Sequence, residues 1–339
     1  MSEVLRETAR RLVAPGKGIL AADESSGTIK KRFDSINTES NEESRRAYRD
    51  LLFTTPGAEE FISGVILFDE TIRQSSSEGT PFPQLLQDKG VIPGIKVDAG
   101  AKDLAGAPGE LVTEGLDGLR ERLAEYKQLG TGFAKWRAVI TIGDGIPSQY
   151  CIDVNAHALA RYAALCQEQD IVPIVEPEVL MDADNTVEVC DDVTRRTLSS
   201  VFAELVAQGV KLDGILLKPN MVLSGKKCPT QASVREVAER TTACFLDTVP
   251  ASVPGIVFLS GGQSDELATA HLNEMNMLGM WPWELSFSYG RALQAPALKA
   301  WQGQEQNVPA AQKAYYHRAK CNGAARHGHY SVDMERESA

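Results

Sequence analysis

Short apolar or β-branched runs bounded by Gly, Pro or Asp alternate along this chain with longer segments of helical spacing. Eight runs stand out: GILAADES from Gly18, SGVILFDE from Ser63, VIPGIKVD from Val91, FAKWRAVI from Phe133, IVPIVEPEV from Ile171, DGILLKPN from Asp213, GIVFLSGG from Gly255 and WELSFSYG from Trp283. Most are apolar at consecutive positions, as expected of strands covered on both faces. Between them, LRERLAEYKQLG, NAHALARYAALCQEQ, VTRRTLSSVFAELVAQG and VREVAERTTACFLDTV place apolar residues at i, i+3, i+4 and i+7, the spacing of a helix with one buried face. Alternating strand and helix units demand parallel strands, and eight of them predict an α/β protein with a closed (β/α)8 TIM barrel. An open doubly wound sheet is the rival, but no G-x-G-x-x-G follows a strand. We expect one domain, with residues 1–300 forming the barrel and an amphipathic opening helix. Residues 301–339 turn polar and rich in His, Arg and Gly, and predict a C-terminal helix with a flexible tail.

The pattern breaks in one systematic way, because most strands carry ionisable residues in their second half. The first ends in Asp23 and Glu24, the second in Asp69 and Glu70, and the third holds Lys96 and Asp98. Lys135 and Arg137 follow in the fourth, Glu176 and Glu178 in the fifth, Lys218 in the sixth, and Arg291 after the eighth. Residues two apart on a strand share a face, so Lys135 and Arg137 point together, as do Glu176 and Glu178. Trp136 and Pro177 between them would face the helices. An isolated pair of this kind is compatible with a structural salt bridge. Burying ions costs several kcal/mol each without partners, and a structural network has no reason to favour the C-terminal ends, where barrels gather ligand-binding groups. The pattern therefore predicts an acid-base site with a cationic component.

Lys218 follows Gly214-Ile215-Leu216-Leu217 and precedes Pro219. A lysine in an apolar setting beside other cations becomes a nucleophilic amine able to form a Schiff base with a ketone, although the same segment allows a lysine that snorkels to solvent. Ser260-Gly261-Gly262, after the seventh strand, offers backbone N–H groups to a phosphate. Such turns are common, but barrels often bind phosphate after strands seven and eight. Ser288-Tyr289-Gly290-Arg291 adds a guanidinium for an anionic oxygen.

Composition narrows the partners. Apolar residues make up 43% and charged ones 24%, with Gly and Pro scattered, which excludes disorder, collagen and coiled coil. Thirty-five Lys and Arg against 46 Asp and Glu leave a net charge of −11, which disfavours nucleic acid and anionic lipid, so an anionic substrate requires a local cluster of cations. No apolar stretch approaches a membrane span. Six cysteines lack a C-x-x-C pair, and the N-terminal segment reads as a helix rather than a leader, together suggesting reduced thiols and a cytoplasmic protein. The five histidines sit at no predicted strand end, so no metal is expected at the site. His327 and His329 in the tail could bind stray metal.

Taken together, GKGILAADES, FAKWR, VPIVEPEV, LLKPNMV, FLSGGQS and FSYGRALQ resemble class I fructose-1,6-bisphosphate aldolase, the metal-independent Schiff-base family, from about Leu12 to Trp301. The resemblance implies a (β/α)8 barrel, a homotetramer and reversible cleavage of fructose 1,6-bisphosphate to dihydroxyacetone phosphate and glyceraldehyde 3-phosphate in glycolysis and gluconeogenesis. It implies no cofactor beyond the covalent imine. It makes Lys218 the imine former, Glu176 the acid/base for carbinolamine formation and dehydration, Glu178 an orienter of the lysine, and Asp23 the acceptor of the C4 hydroxyl proton. Lys135, Arg137 and Lys96 would polarise hydroxyls and attract phosphate. Ser260, Gly261, Gly290 and Arg291 resemble the 1-phosphate site, and Lys31 and Arg32 the 6-phosphate end.

One departure is a chain that ends Glu335-Arg336-Glu337-Ser338-Ala339 where many relatives end in a tyrosine that assists proton exchange on the enamine. Preference between the bisphosphate and fructose 1-phosphate is therefore open, and Tyr330 is not assumed equivalent. Two other readings remain at this point: a phosphate-binding barrel isomerase, which would not need Lys218, and a non-enzymatic scaffold.

Overall fold

The apolar runs become strands in the computed structural model, which describes residues 3–336; Met1, Ser2 and the last tail residues, Glu337, Ser338 and Ala339, lie outside the described residues. In chain order these are β1 (Gly18–Ala22), β2 (Ile62–Leu67) and β3 (Ile92–Lys96), then a small antiparallel ribbon of β4 (Gly100–Asp103) and β5 (Leu111–Glu114). β6 (Phe133–Ile140), β7 (Val172–Val179), β8 (Leu216–Leu217), β9 (Gly255–Phe258) and β10 (Glu284–Tyr289) follow. Apart from the ribbon they pair in parallel around a closed barrel, sealed where Ile19 of β1 pairs with Ser288 of β10. The (β/α)8 expectation is met. The sixth run is the weakest match: only Leu216 and Leu217 are extended, and Leu212–Gly214 forms a 3-10 turn before them. The ribbon, between β3 and β6, was not expected from the periodicity.

The helices are α1 (Glu3–Leu12), α2 (Ser26–Asp34), α3 (Glu42–Thr54), α4 (Asp69–Ile72), α5 (Phe82–Asp88), α6 (Leu119–Gln128), α7 (Gln149–Glu168), α8 (Val187–Ala207), α9 (Val234–Thr248), α10 (Asp265–Leu278), α11 (Arg291–Trp301) and α12 (Val308–Ala325). Serine side chains mark three starts by accepting from a backbone N–H of the first turn: Ser148 for α7, Ser233 for α9 and Ser264 for α10. No helix among the described residues is long and apolar enough to cross a membrane.

Two apolar layers result. The larger lies between strands and helices, where Trp136 of β6 packs on Tyr162 of α7 with ring centroids 5.6 Å apart. The smaller fills the barrel's N-terminal half: Ile19, Ile66, Ile92, Phe133, Val172, Ile174, Leu216 and Val257 meet there, and Leu5, Ala9 and Leu12 of α1 close the end. Phe133 needs the space left by Gly64 and Gly94, where a Cβ would strike its ring. The region after α11 is tied to the barrel: α12 buries Tyr315, Ala319 and Asn322, and the buried Arg326 guanidinium donates to the carbonyls of Val13, Ala14 and Leu285.

Candidate active site

The inward face of several strands changes character halfway along. Phe133 on β6 is followed at two-residue steps by Lys135 and Arg137; Val172 and Ile174 on β7 by Glu176 and Glu178; Leu216 on β8 by Lys218. Ile19 and Ala21 on β1 lead to Asp23 just past the strand. The apolar half is the barrel core, and the charged half lines a cavity of about 680 Å³ at the C-terminal strand ends. Five acidic and five basic side chains line it, so formal charge balances locally while the whole chain carries −11.

At its floor the groups form one chain of contacts. Lys218 Nζ lies 3.2 Å from Glu176 Oε1, and Lys135 Nζ lies 3.4 Å from Glu176 Oε2 and 2.6 Å from Asp23 Oδ2. Lys135, Glu176 and Lys218 are all buried. Burial alone would push the Asp23 carboxyl up, but Lys135 first and Lys218 next hold it well below the usual carboxylate range. Burial would likewise lower the Lys135 ammonium, yet Asp23, Glu176 and Asp98 together raise it. Both groups are therefore ionised at neutral pH.

The rim holds a second tier. Arg137 donates to Glu178, and this partner raises the guanidinium although burial opposes it. Lys96 Nζ sits 2.7 Å from Asp98 Oδ1, whose second oxygen accepts from the Arg137 backbone N–H at 3.2 Å. Glu24 is a hub: its buried carboxylate accepts from Arg32 and Arg49, and from Gln294 Nε2 at 2.9 Å. Arg32 thereby reaches the cavity from α2.

Ser260, Gly261 and Gly290 also line the cavity. A Cβ on Gly261 would lie 3.0 Å from Glu178 Oε1, and one on Gly290 would lie 3.3 Å from the Ala21 carbonyl, so both positions leave backbone open to a ligand. Ser288 Oγ, buried on the same wall, makes no hydrogen bond within the protein.

Two expected residues are placed elsewhere. Arg291 turns its guanidinium onto the carbonyls of Gln263 and Ser260, bracing the loop instead of lining the cavity. Lys31 is exposed on α2 and does not line the cavity, because the helix turn that aims Arg32 inward rotates its neighbour outward. The remaining expected residues meet in one cavity. Glu24, Asp98 and Ser288 were not expected to have a task there. Glu24 and Asp98 belong to the same pattern of charges after strands, but that pattern gives a place without a partner, and Ser288 stands in the sequence only as a neighbour of Gly290 and Arg291.

Comparison with known proteins bears on this geometry. The profile of the family described as "Glycolytic: Fructose-bisphosphate aldolase class-I" matches residues 4–339. A protein of Xanthomonas campestris named "Probable fructose-bisphosphate aldolase class 1" is 63% identical over 324 residues, covering 95% of this chain and 97% of the relative. Arabidopsis thaliana "Fructose-bisphosphate aldolase 4, cytosolic" is 53% identical over 322 residues, covering 95% of this chain and 82% of the relative. Among solved structures, a fructose-bisphosphate aldolase from Plasmodium falciparum, in complex with TRAP and a small-molecule inhibitor, superposes with a TM-score of 0.96 at 50% identity, covering 97% of this chain and 95% of the other.

Proposed function

Because the chain belongs to the class I fructose-bisphosphate aldolase family, we propose that Lys218 forms the imine through which it acts. The enzyme is a lyase that cleaves fructose 1,6-bisphosphate reversibly to dihydroxyacetone phosphate and glyceraldehyde 3-phosphate, and class I enzymes use a Schiff-base lysine and no metal. The observation that carries the assignment is Lys218 Nζ held 3.2 Å from Glu176 Oε1 at the cavity floor.

Glu176, 3.2 Å away, takes the proton that the Lys218 ammonium sheds, and the freed amine attacks the C2 carbonyl, passing a second N–H proton to the carbonyl oxygen as the carbinolamine forms. Glu176 donates a proton to the departing hydroxyl and so drives dehydration of the carbinolamine to a protonated imine. Asp23 then takes the C4 hydroxyl proton while the C3–C4 electron pair moves into the C2=N bond, leaving a neutral enamine. The positive charge at Lys218 is one of the causes that hold the Asp23 carboxyl down. When the enamine forms, that charge vanishes and Asp23 becomes more basic as it receives the proton. Lys135 remains cationic between Asp23 and Glu176, compensating both carboxylates. Ser260, Gly261, Gly290 and Ser288 bind the 1-phosphate, and Lys96, Arg137 and Arg32 attract the 6-phosphate end. Arg291 acts by bracing the Ser260 loop, and Lys31 adds field at the mouth. We also place the enzyme in the cytoplasm as a homotetramer, supported by a cytosolic relative and by family resemblance, and read residues 301–339 as an appendage of a single barrel domain.

Borohydride reduction in the presence of dihydroxyacetone phosphate, followed by peptide mass mapping, should place the adduct on Lys218. An adduct on another lysine, or cleavage by Lys218→Arg at the native rate, overturns the assignment.

A further inference from the structure

Away from the cavity, α12 and the segment after it bring together three side chains with no task in aldol chemistry. His317 and Cys321 stand four residues apart on α12 and so share a face, and Glu335 folds back over them. The three ligand atoms lie within 4.8 Å of one another. His317 Nε2 is 3.7 Å from Cys321 Sγ and 3.7 Å from Glu335 Oε2. Zinc bonds of about 2.3 Å to sulfur and about 2.0–2.2 Å to nitrogen and oxygen place tetrahedral ligands about 3.5 Å apart; the two spacings from His317 meet this by closing about 0.2 Å, and Cys321 and Glu335 lie within 4.8 Å of each other. We propose that His317, Cys321 and Glu335 form a structural site for a borderline-soft divalent transition metal of the zinc class, distinct from the metal-independent catalytic centre.

The chemistry of the donors fits that class. A thiolate with an imidazole selects zinc over magnesium or calcium, whose sites are built from oxygen. Glu335 is already oriented, since its other oxygen accepts from Arg318 and from the Tyr330 hydroxyl at 2.9 Å. Outer partners of this kind fix a metal ligand's direction. Binding releases the Cys321 thiol proton to solvent, leaving thiolate and carboxylate against the dication, and a water completes the four ligands.

The location suggests what the metal does. Arg318 also donates to the Asp265 carbonyl at 3.0 Å and to the Ala292 carbonyl at 3.4 Å, in the first turns of α10 and α11. These helices follow β9 and β10, whose ends carry Ser260, Gly261 and Gly290. A metal on His317, Cys321 and Glu335 therefore pins the C-terminal segment against the helices that frame the phosphate loops.

The test uses the full chain, stripped with a chelator and titrated with Zn²⁺ against a chromophoric competitor, then with Co²⁺ as a spectroscopic probe. One tight equivalent is expected, with a rise in melting temperature and a thiolate-to-cobalt charge-transfer absorption. Cys321→Ala should abolish the absorption. His317→Gln and Glu335→Gln should each weaken binding by more than the roughly 10–100-fold that loss of an outer partner alone costs. His327→Ala/His329→Ala, which removes the rival histidine pair of the tail, should change nothing. Borohydride trapping at Lys218 in each variant serves as the folding control and should persist with chelator present. Failure of trapping in the wild-type protein would count against the imine assignment and leave the metal result standing. Binding that disappears with His327 and His329, or a cobalt complex of wild type without the thiolate band, overturns the site.

Discussion

The Lys135 ammonium lies 2.6 Å from Asp23 Oδ2, joining β6 to the end of β1 across the barrel mouth. Lys135 is the largest influence opposing burial at Asp23, so Lys135→Met should raise the Asp23 carboxyl and move the acid limb of kcat/KM to higher pH. A general acid-base partner contributes about 10²–10⁴-fold in rate, and kcat should fall within that range. The sign for stability follows from linkage. A carboxyl depressed in the folded state contributes above its unfolded value of about 3.9 and loses that contribution as pH falls toward the folded value. Urea titrations at pH 3 and pH 7 should differ less in Lys135→Met than in wild type, and an unchanged acid limb would contradict the pairing.

Glu24 and Arg32 separate binding from folding. Arg32 reaches the cavity and is about a quarter exposed, while Arg49 on the other side of Glu24 is 3% exposed. Removing one partner of a buried ion pair costs about 3–5 kcal/mol because the other charge is left stranded. Glu24→Ala should therefore lower the urea midpoint strongly and raise KM, since both guanidiniums lose their carboxylate. Arg32→Ala should raise KM with stability changed by no more than about 1 kcal/mol. Equal stability losses in the two variants would show that Glu24 does not organise this corner.

Particular residues show what the sequence made legible. The strands were readable because apolar runs stop at Gly, Pro or Asp, and the site was readable because Lys135, Glu176 and Lys218 occupy positions where a purely structural strand would be apolar. The direction of Arg291 was not readable: whether its guanidinium meets a ligand or the carbonyls of Ser260 and Gln263 depends on a loop folded beside it. Polar composition also concealed the packing of residues 301–336. Arg318, Asn322 and Arg326 are buried because each finds partners contributed by remote segments, and no local pattern encodes those meetings.

His271 on α10 should be the source of a measurable acid sensitivity. Burial pushes its imidazole down to about 4 from 6.5, and Nδ1 lies 2.6 Å from Gln263 Oε1 on the loop that Arg291 braces. Between pH 6.5 and about 4 the unfolded chain holds a proton that the folded one refuses, so stability is intact above this window and declines as pH falls through it. The full decline is on the order of 3 kcal/mol. His271→Gln should flatten that part of the urea-midpoint profile, whatever its effect at neutral pH. A slope identical to wild type would assign the acid sensitivity to other groups.

Arg326 provides the opposite separation, stability without catalysis. Its guanidinium is 1% exposed and donates to the carbonyls of Lys17 at 3.0 Å, Leu285 at 2.6 Å, Val13 at 2.7 Å and Ala14 at 3.0 Å, with Glu284 as its carboxylate partner. These acceptors sit where the chain enters β1 and β10, at the end of the barrel opposite Lys218. Arg326→Met keeps much of the side-chain volume but leaves several buried carbonyls without donors, at about 1–3 kcal/mol for each group that water does not reach. The melting temperature should therefore drop by several degrees. The floor contacts of Lys135, Glu176 and Lys218 are untouched, so kcat and KM measured well below the transition should stay within about twofold of wild type. The same logic applies to truncation. Cutting after Trp301 removes Arg326 and all of α12, so lost activity in such a protein would report unfolding, whereas a point change at Arg326 tests the anchor alone. A large fall in kcat for folded Arg326→Met would mean that the two ends of the barrel are coupled, and would remove the basis for treating this residue as structural.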